Sequence, residues 1–170
     1  MGVKLQIDDS EVKASLNFLI KSLIAGYEAP LQKSAELISG NIRDNFLFRG
    51  GFDRNEWAAL APATIKNRQA KVNNGLQLFA QLDSPELLTG KMFHAATDIT
   101  GSREGSGYAI DDHSVSVGIE TDVITYAERA MGLLPGNIPV RDPIQISAET
   151  ENEILSTFEA DLNRRVQDAG

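Results

Sequence analysis

Pro30-Leu31-Gln32-Lys33-Ser34-Ala35-Glu36-Leu37-Ile38-Ser39-Gly40-Asn41-Ile42-Arg43-Asp44-Asn45-Phe46 is the stretch that decides how this chain folds. Leu31, Ala35, Ile38, Ile42 and Phe46 recur at three- or four-residue intervals, the period that lines side chains along one face of an α-helix. Pro30 suits the first turn, where a missing N–H costs nothing. Upstream, Ser10 reads as an N-cap with Glu11 behind it, and Leu16, Leu19, Ile20 and Leu23 keep helical spacing until Gly26. The Gly26-Tyr27-Glu28 turn is short, which predicts a helical hairpin whose apolar face a sheet must cover. Before it, Val3, Leu5 and Ile7 alternate with Lys4 and Gln6, the period of a half-buried strand.

Downstream, Phe48-Arg49-Gly50-Gly51-Phe52 cannot continue a helix cheaply. A loop over residues 49–61 should carry Trp57, and a short helix should run from Pro62 to about residue 70. Residues 71–83 are rich in Asn, Gly and Gln and read as an exposed excursion. Ser84-Pro85-Glu86 opens a further helical turn, continuing through Leu87, Leu88 and Met92 despite Gly90. From there the reading turns to strand, first over residues 95–100, then a flexible tip at 101–107. Tyr108 and Ile110, then Val115, Val117 and Ile119, alternate with small or polar residues and predict a hairpin around Asp111-Asp112-His113.

Residues 124–131 read as a short helix stopped by Gly132, and 138–146 as extended chain that Pro139 and Pro143 limit to an edge or a partial strand. The clearest helix comes last. It follows Ile146-Ser147, with Glu149, Glu151 and Glu153 near its start and Arg164 and Arg165 near its end, a polarity that complements the helix dipole. Ile154, Phe158, Leu162 and Val166 form its apolar stripe. The expected fold is α+β: a single domain over residues 1–170, with an N-terminal helical hairpin and a C-terminal helix packed on a small antiparallel β-sheet.

The chain has 170 residues, 42% hydrophobic and 24% charged, ordinary values for one globular domain with its own core. It contains no cysteine, so neither a disulfide framework nor a thiolate metal site can form. No apolar run approaches the roughly 20 residues of a membrane span. The first residues hold no signal-peptide core, and Gln6 stands where an N-myristoylation signal needs Ser or Thr. These features predict a chain made and used in the cytosol.

Charge is unevenly placed. Residues 1–100 balance eleven Lys or Arg against eleven Asp or Glu, whereas residues 101–170 set five against thirteen and so hold the whole net charge of -8. An acidic domain repels the phosphate backbone, which argues against sequence-specific nucleic-acid binding. The acidity serves either solubility or a partner-facing surface.

No constellation carries clear chemistry. Asp111, Asp112 and His113 could ligate a divalent metal, but neighbours on extended chain point in alternate directions, and no further ligand announces itself. A solvated turn is the simpler account. His94 sits beside Phe93 without a partner motif for proton transfer. There is no Gly-x-Ser-x-Gly elbow, and Gly101-x-x-x-Gly105-x-Gly107 lacks the Gly-Lys ending of a phosphate loop. Glu149, Glu151 and Glu153 diverge around their helix and share no site. Trp57, the only Trp, either fills the space between hairpin and sheet or, with Tyr126 and Arg141, meets another subunit.

A set of ordered, widely spaced motifs remains. Trp57, Leu60, Pro62 and Thr64 form a Trp-x-x-Leu-x-Pro-x-Thr stretch, followed by Leu87-Leu88-Thr89-Gly90, Val115-Ser116-Val117-Gly118, Tyr126-Ala127 with Gly132, and Ile138-Pro139-Val140-Arg141. In this order they resemble the phage virion morphogenesis family, the tail-completion proteins of Mu-like contractile-tailed phages, over roughly residues 30 to 147. Two departures are Arg129-Ala130-Met131, where the family often has His and Gln before the glycine, and Asp142-Pro143, where an aromatic residue or leucine usually follows.

The resemblance implies a structural virion part with no catalytic residue, cofactor or metal. Its partners would be copies of itself, closing into a ring, together with tail tube, sheath and head-connector proteins. Its place would be the host cytoplasm during assembly and then the head–tail interface. The motif residues Trp57, Leu60, Pro62, Thr64, Thr89, Gly90, Tyr126, Gly132, Pro139 and Arg141 are the candidate contact positions. The alternatives are a small metal-dependent hydrolase or nuclease built on Asp111, Asp112 and His113, and a cytosolic adaptor that uses the helical hairpin as its binding face.

Overall fold

The computed structural model describes residues 10–48, 57–77, 90–124 and 142–169. Its elements run α1 (Ser10–Ile24), α2 (Glu28–Leu47), α3 (Pro62–Asn73), α4 (Lys91–Ala96), β1 (Ala109–Ile110), β2 (Val115–Ser116) and α5 (Ala148–Ala169). Helices with a small antiparallel sheet make the fold α+β, as the periodicity predicts. The strand expected over residues 3–7 and the helix expected over 124–131 (Ile124 apart) lie outside the described residues, as do 49–56, 78–89 and 125–141.

α2 is the axis. Leu31, Ala35, Ile42 and Phe46 are buried along it, and Ile38 is half-buried. The core gathers at its C-terminal half. There Trp57, Met92, Ala95, Ala96 and Ile124 close around Ile42 and Phe46, with Val117, Ile119 and Ile144 against the outside of the cluster. The Phe46 ring meets Trp57 edge-on at 5.7 Å and Phe93 at 5.5 Å, the T-shaped geometry aromatic quadrupoles favour.

Several expectations need correcting. Residues 95–100 do not form a strand. Met92, Ala95 and Ala96 keep i, i+3, i+4 spacing, and α4 uses it to bury all three against α2. Gly90 does not lie inside a helix either. It takes φ +72° just before Lys91 and starts α4. Residues 71–73, expected in an exposed excursion, are the last turn of α3, which runs on to Asn73.

β1 and β2 pair as the alternation predicts, Ala109 opposite Ser116 and Ile110 opposite Val115. The turn between them is closed by Asp111, whose amide donates to the Ser114 carbonyl at 2.9 Å. Its Oδ1 accepts from the amides of His113 and Ser114, and Oδ2 accepts from the Ser114 hydroxyl. These donors hold the Asp111 carboxyl below its ordinary range, with the Ser114 hydroxyl bond the largest contribution. Residues 101–107 form a compact turn organised on Asp98, whose carboxylate accepts from the Thr100 hydroxyl and from the amides of Thr100 and Arg103.

α5 begins where Ser147 caps it, its Oγ accepting the Thr150 amide at 3.1 Å. The helix packs on both α2 and α1. Its stripe departs from expectation. Ile154 and Phe158 are half-buried, but the inward line continues through Asp161 and Arg165, leaving Leu162 and Val166 exposed. A four-residue step overshoots a full turn by about 40°, so a strict spacing of four spirals off the contact face. Arg164 and Arg165 also fall short of the last turn, which ends at Ala169 without a basic residue. Arg165 is turned instead to the end of α1, while Arg164 stays exposed beside Asp161.

Candidate interaction surface

The turn between α1 and α2 is where three elements meet. Gly26 turns the chain at φ +87°, and a Cβ there would stand 2.8 Å from the Asp112 carbonyl oxygen. That closeness lets the Tyr27 amide donate to the same carbonyl at 2.8 Å. The hairpin tip is thereby pinned to the helix turn, with the Tyr27 ring 6.3 Å from His113 and 5.8 Å from Phe158 of α5.

Arg165 locks the third element in place. Its Nε donates to Asp161 Oδ2 at 2.6 Å, Nη2 to the Gly26 carbonyl at 2.8 Å, and Nη1 to the Ser22 carbonyl. The guanidinium carbon lies 4.9 Å from the Tyr27 ring centroid. A cation is thus set at the C-terminal end of α1, where unpaired carbonyls and the negative dipole end need one. Asp161 is buried and is also paired with Arg164. Beside this junction a groove of about 510 Å³ is lined by Ala25, Gly26, Glu28, Gln32, Ile110 and Asp112, among others.

A second polar clasp ties the chain before α5 to α2. Asn45 Nδ2 donates to the carbonyls of Pro143 at 3.0 Å and Gln145 at 2.7 Å. One turn earlier, Asn41 Oδ1 accepts the Ser147 amide at 2.7 Å. Backbone groups of Pro143, Gln145 and Ser147 therefore bond to side chains of α2.

Of the motif residues, Trp57 is in the core and only 8% exposed, so packing is the role its position displays. Leu60 is half-buried, Pro62 and Thr64 are exposed, and Gly90 is buried at the start of α4. Thr89, Tyr126, Gly132, Pro139 and Arg141 lie outside the described residues. The motif positions that are described do not converge on one cavity. Among the described residues, no three His, Asp or Glu side chains gather as metal ligands, and no helix is long and apolar enough to cross a membrane. Both carboxylate oxygens of Asp111 are engaged by its own turn.

The outer surface is unusually apolar on two helices. Val12, Leu16, Ile20 and Ile24 of α1 form a stripe at every fourth residue, with exposures of 62%, 54%, 52% and 71%. Phe18 is also open. α5 adds exposed Leu155, Leu162 and Val166. Single exposed apolar side chains are normal, but a continuous stripe marks a contact face. The sequence carried a signal for it. α1 holds more apolar residues than one buried face needs, and an amphipathic helix with an oversized apolar arc has two contacts to make. Arg165, Asn41 and Asn45 gave no such signal, because the backbone groups they bind are remote in sequence.

No protein-family model, no curated protein and no solved structure matches this chain.

Proposed function

We propose that this chain is a structural phage morphogenesis protein that acts in tail completion, tail termination and head–tail joining. The observation that carries the reading, beside the ordered motifs from Trp57 to Arg141, is the open apolar stripe of Val12, Leu16, Ile20 and Ile24. A protein whose work is to be covered by other subunits needs such a face.

Identical copies close into a sixfold ring on the tail, since heterologous contacts close only at particular rotations and a tail presents rotational symmetry. Tail tube or sheath proteins meet one side and head-connector proteins the other. The excess of acidic residues beyond residue 100 gives the ring a negative lumen through which DNA slides without sticking. Assembly takes place in the host cytoplasm, and the finished ring sits at the head–tail interface.

Native mass spectrometry of the protein mixed with tail-tube and connector proteins tests this reading. A stoichiometric complex containing several copies of the chain is expected. Absence of any complex with either protein counts against it.

A further inference from the structure

Asn74 and Gly75 close α3, and the pair has a chemistry of its own. Of the ten asparagines in the chain, Asn74 alone is followed by glycine. Joining an asparagine Cγ to the backbone nitrogen of the next residue makes a five-membered ring. A side chain on that next residue shields the nitrogen, and glycine has none.

The fold leaves this pair open. Both residues are exposed, and a Cβ placed on Gly75 would meet nothing within 4 Å. Among the described residues no hydrogen bond holds the Asn74 side chain, whereas Asn73 Oδ1 accepts from Gln69 Nε2 at 2.9 Å. Asn45 is buried and donates to two carbonyls.

Only backbone restrains the turn. The Gly75 amide donates to the Val72 carbonyl at 2.9 Å and the Leu76 amide to the Lys71 carbonyl at 3.0 Å. With Asn74 at ψ 16° and the Gly75 N–H so engaged, the ring does not close in the folded turn. That turn is weakly held. Helix ends fray, and no residue of α3 is buried, so little tertiary packing opposes its opening.

We propose that Asn74 with Gly75 is a self-modification site, where Asn74 becomes isoaspartate as the last turn of α3 opens. The Gly75 nitrogen attacks Asn74 Cγ and its proton passes through water to Nδ2. The new N–Cγ bond forms, the Cγ–Nδ2 bond breaks, and ammonia leaves. Water then opens the ring. Attack at the main-chain carbonyl gives isoaspartate, and attack at Cγ gives aspartate. One water is consumed for each ammonia released, and nothing is oxidised or reduced.

Isoaspartate inserts an extra carbon into the main chain. The Gly75 and Leu76 amides are thereby carried off the Val72 and Lys71 carbonyls, and the end of α3 does not re-form. The change falls on the helix that carries Pro62 and Thr64.

The full chain, held at mildly alkaline pH and sampled over days, tests this. Tryptic peptides are sequenced by electron-transfer fragmentation, which separates isoaspartate from aspartate. The expected result is exchange of NH2 for OH at Asn74 ahead of every other asparagine, faster as pH rises, with isoaspartate the main product. Asn74→Gln, which would need a larger ring, should abolish it. Conversion at Asn74 no faster than at Asn73 or Asn67 overturns the proposal. Aspartate without isoaspartate, the mark of direct hydrolysis, overturns it as well. In the aged chain, hydrogen-exchange protection of the Gly75 and Leu76 amides should be lost while that of Ile42 is kept. Protection retained at both in isoaspartate-bearing chains contradicts the loss of the turn.

Discussion

Arg165 of α5 donates to the carbonyl of Gly26, the residue that closes off α1, at 2.8 Å. One side chain thereby joins the helix turn, the end of α1 and the buried carboxylate of Asp161. Replacing it by alanine leaves Asp161 with only the exposed Arg164 and strips the donor from two carbonyls. Arg165→Ala should cost about 3 kcal/mol, the low end for breaking a buried pair, because one cation stays. Differential scanning calorimetry should show a lower melting temperature. An unchanged value would mean that the clasp contributes nothing net.

Asn45 makes a different kind of tie. Its amide donates to two backbone carbonyls in a buried setting. Asn45→Leu removes both donors and should destabilise by about 1–3 kcal/mol. Asn45→Asp should cost more, since a carboxylate would face two carbonyl oxygens. Urea unfolding of the two variants gives the order directly.

Gly26→Ala tests the junction through the backbone. A left-handed φ costs a non-glycine residue about 1–2 kcal/mol, and the added methyl would also meet the Asp112 carbonyl. Gly105→Ala is the parallel case, with φ +78° and a Cβ placed 2.7 Å from Ile124. Both variants should unfold at lower denaturant. Protection of the Tyr27 amide from hydrogen exchange should fall in the first only.

Asp98 gives the fold an acid dependence. Burial alone would raise its pKa, but bonds from the Thr100 hydroxyl, the Arg103 and Thr100 amides and the Ser106 hydroxyl outweigh burial and lower it from 3.8 to about 2. A carboxyl depressed in the folded state stabilises fully above the unfolded value and loses that contribution as pH falls through the folded one. Stability should therefore drop between about pH 4 and pH 2. Asp98→Asn should flatten that stretch of a denaturation-midpoint curve and leave the neutral end with a constant offset.

How much of this was readable from residues alone differs by element. α2 was legible because its five apolar positions keep one period without interruption. The β1–β2 hairpin was legible from Val115 and its neighbours, although its turn depends on the Asp111 side chain and not on an Asn-Gly pair. α4 was misread because six residues are too few for periodicity to separate helix from strand, and only the fit against α2 decides. The α5 stripe was misplaced because Arg165 looks like a surface residue until the end of α1 supplies its carbonyl partners, and Asp161 turns inward with it as its ion-pair partner. Asn41 and Asn45 carry no sequence signal of their role, since their partners lie about a hundred residues away. Trp57 was legible as an anchor, and its partner Phe46 belongs to the stretch that sets the fold.

The central claim is that this protein acts by being covered on its apolar faces as part of a larger particle. The most direct measurement adds it to purified phage tails lacking their completion protein and counts copies bound after sedimentation. The account predicts saturation at a fixed number per tail equal to the tail's rotational symmetry, lost on Leu16→Asp. Tails that sediment without it at saturating concentration would contradict the account.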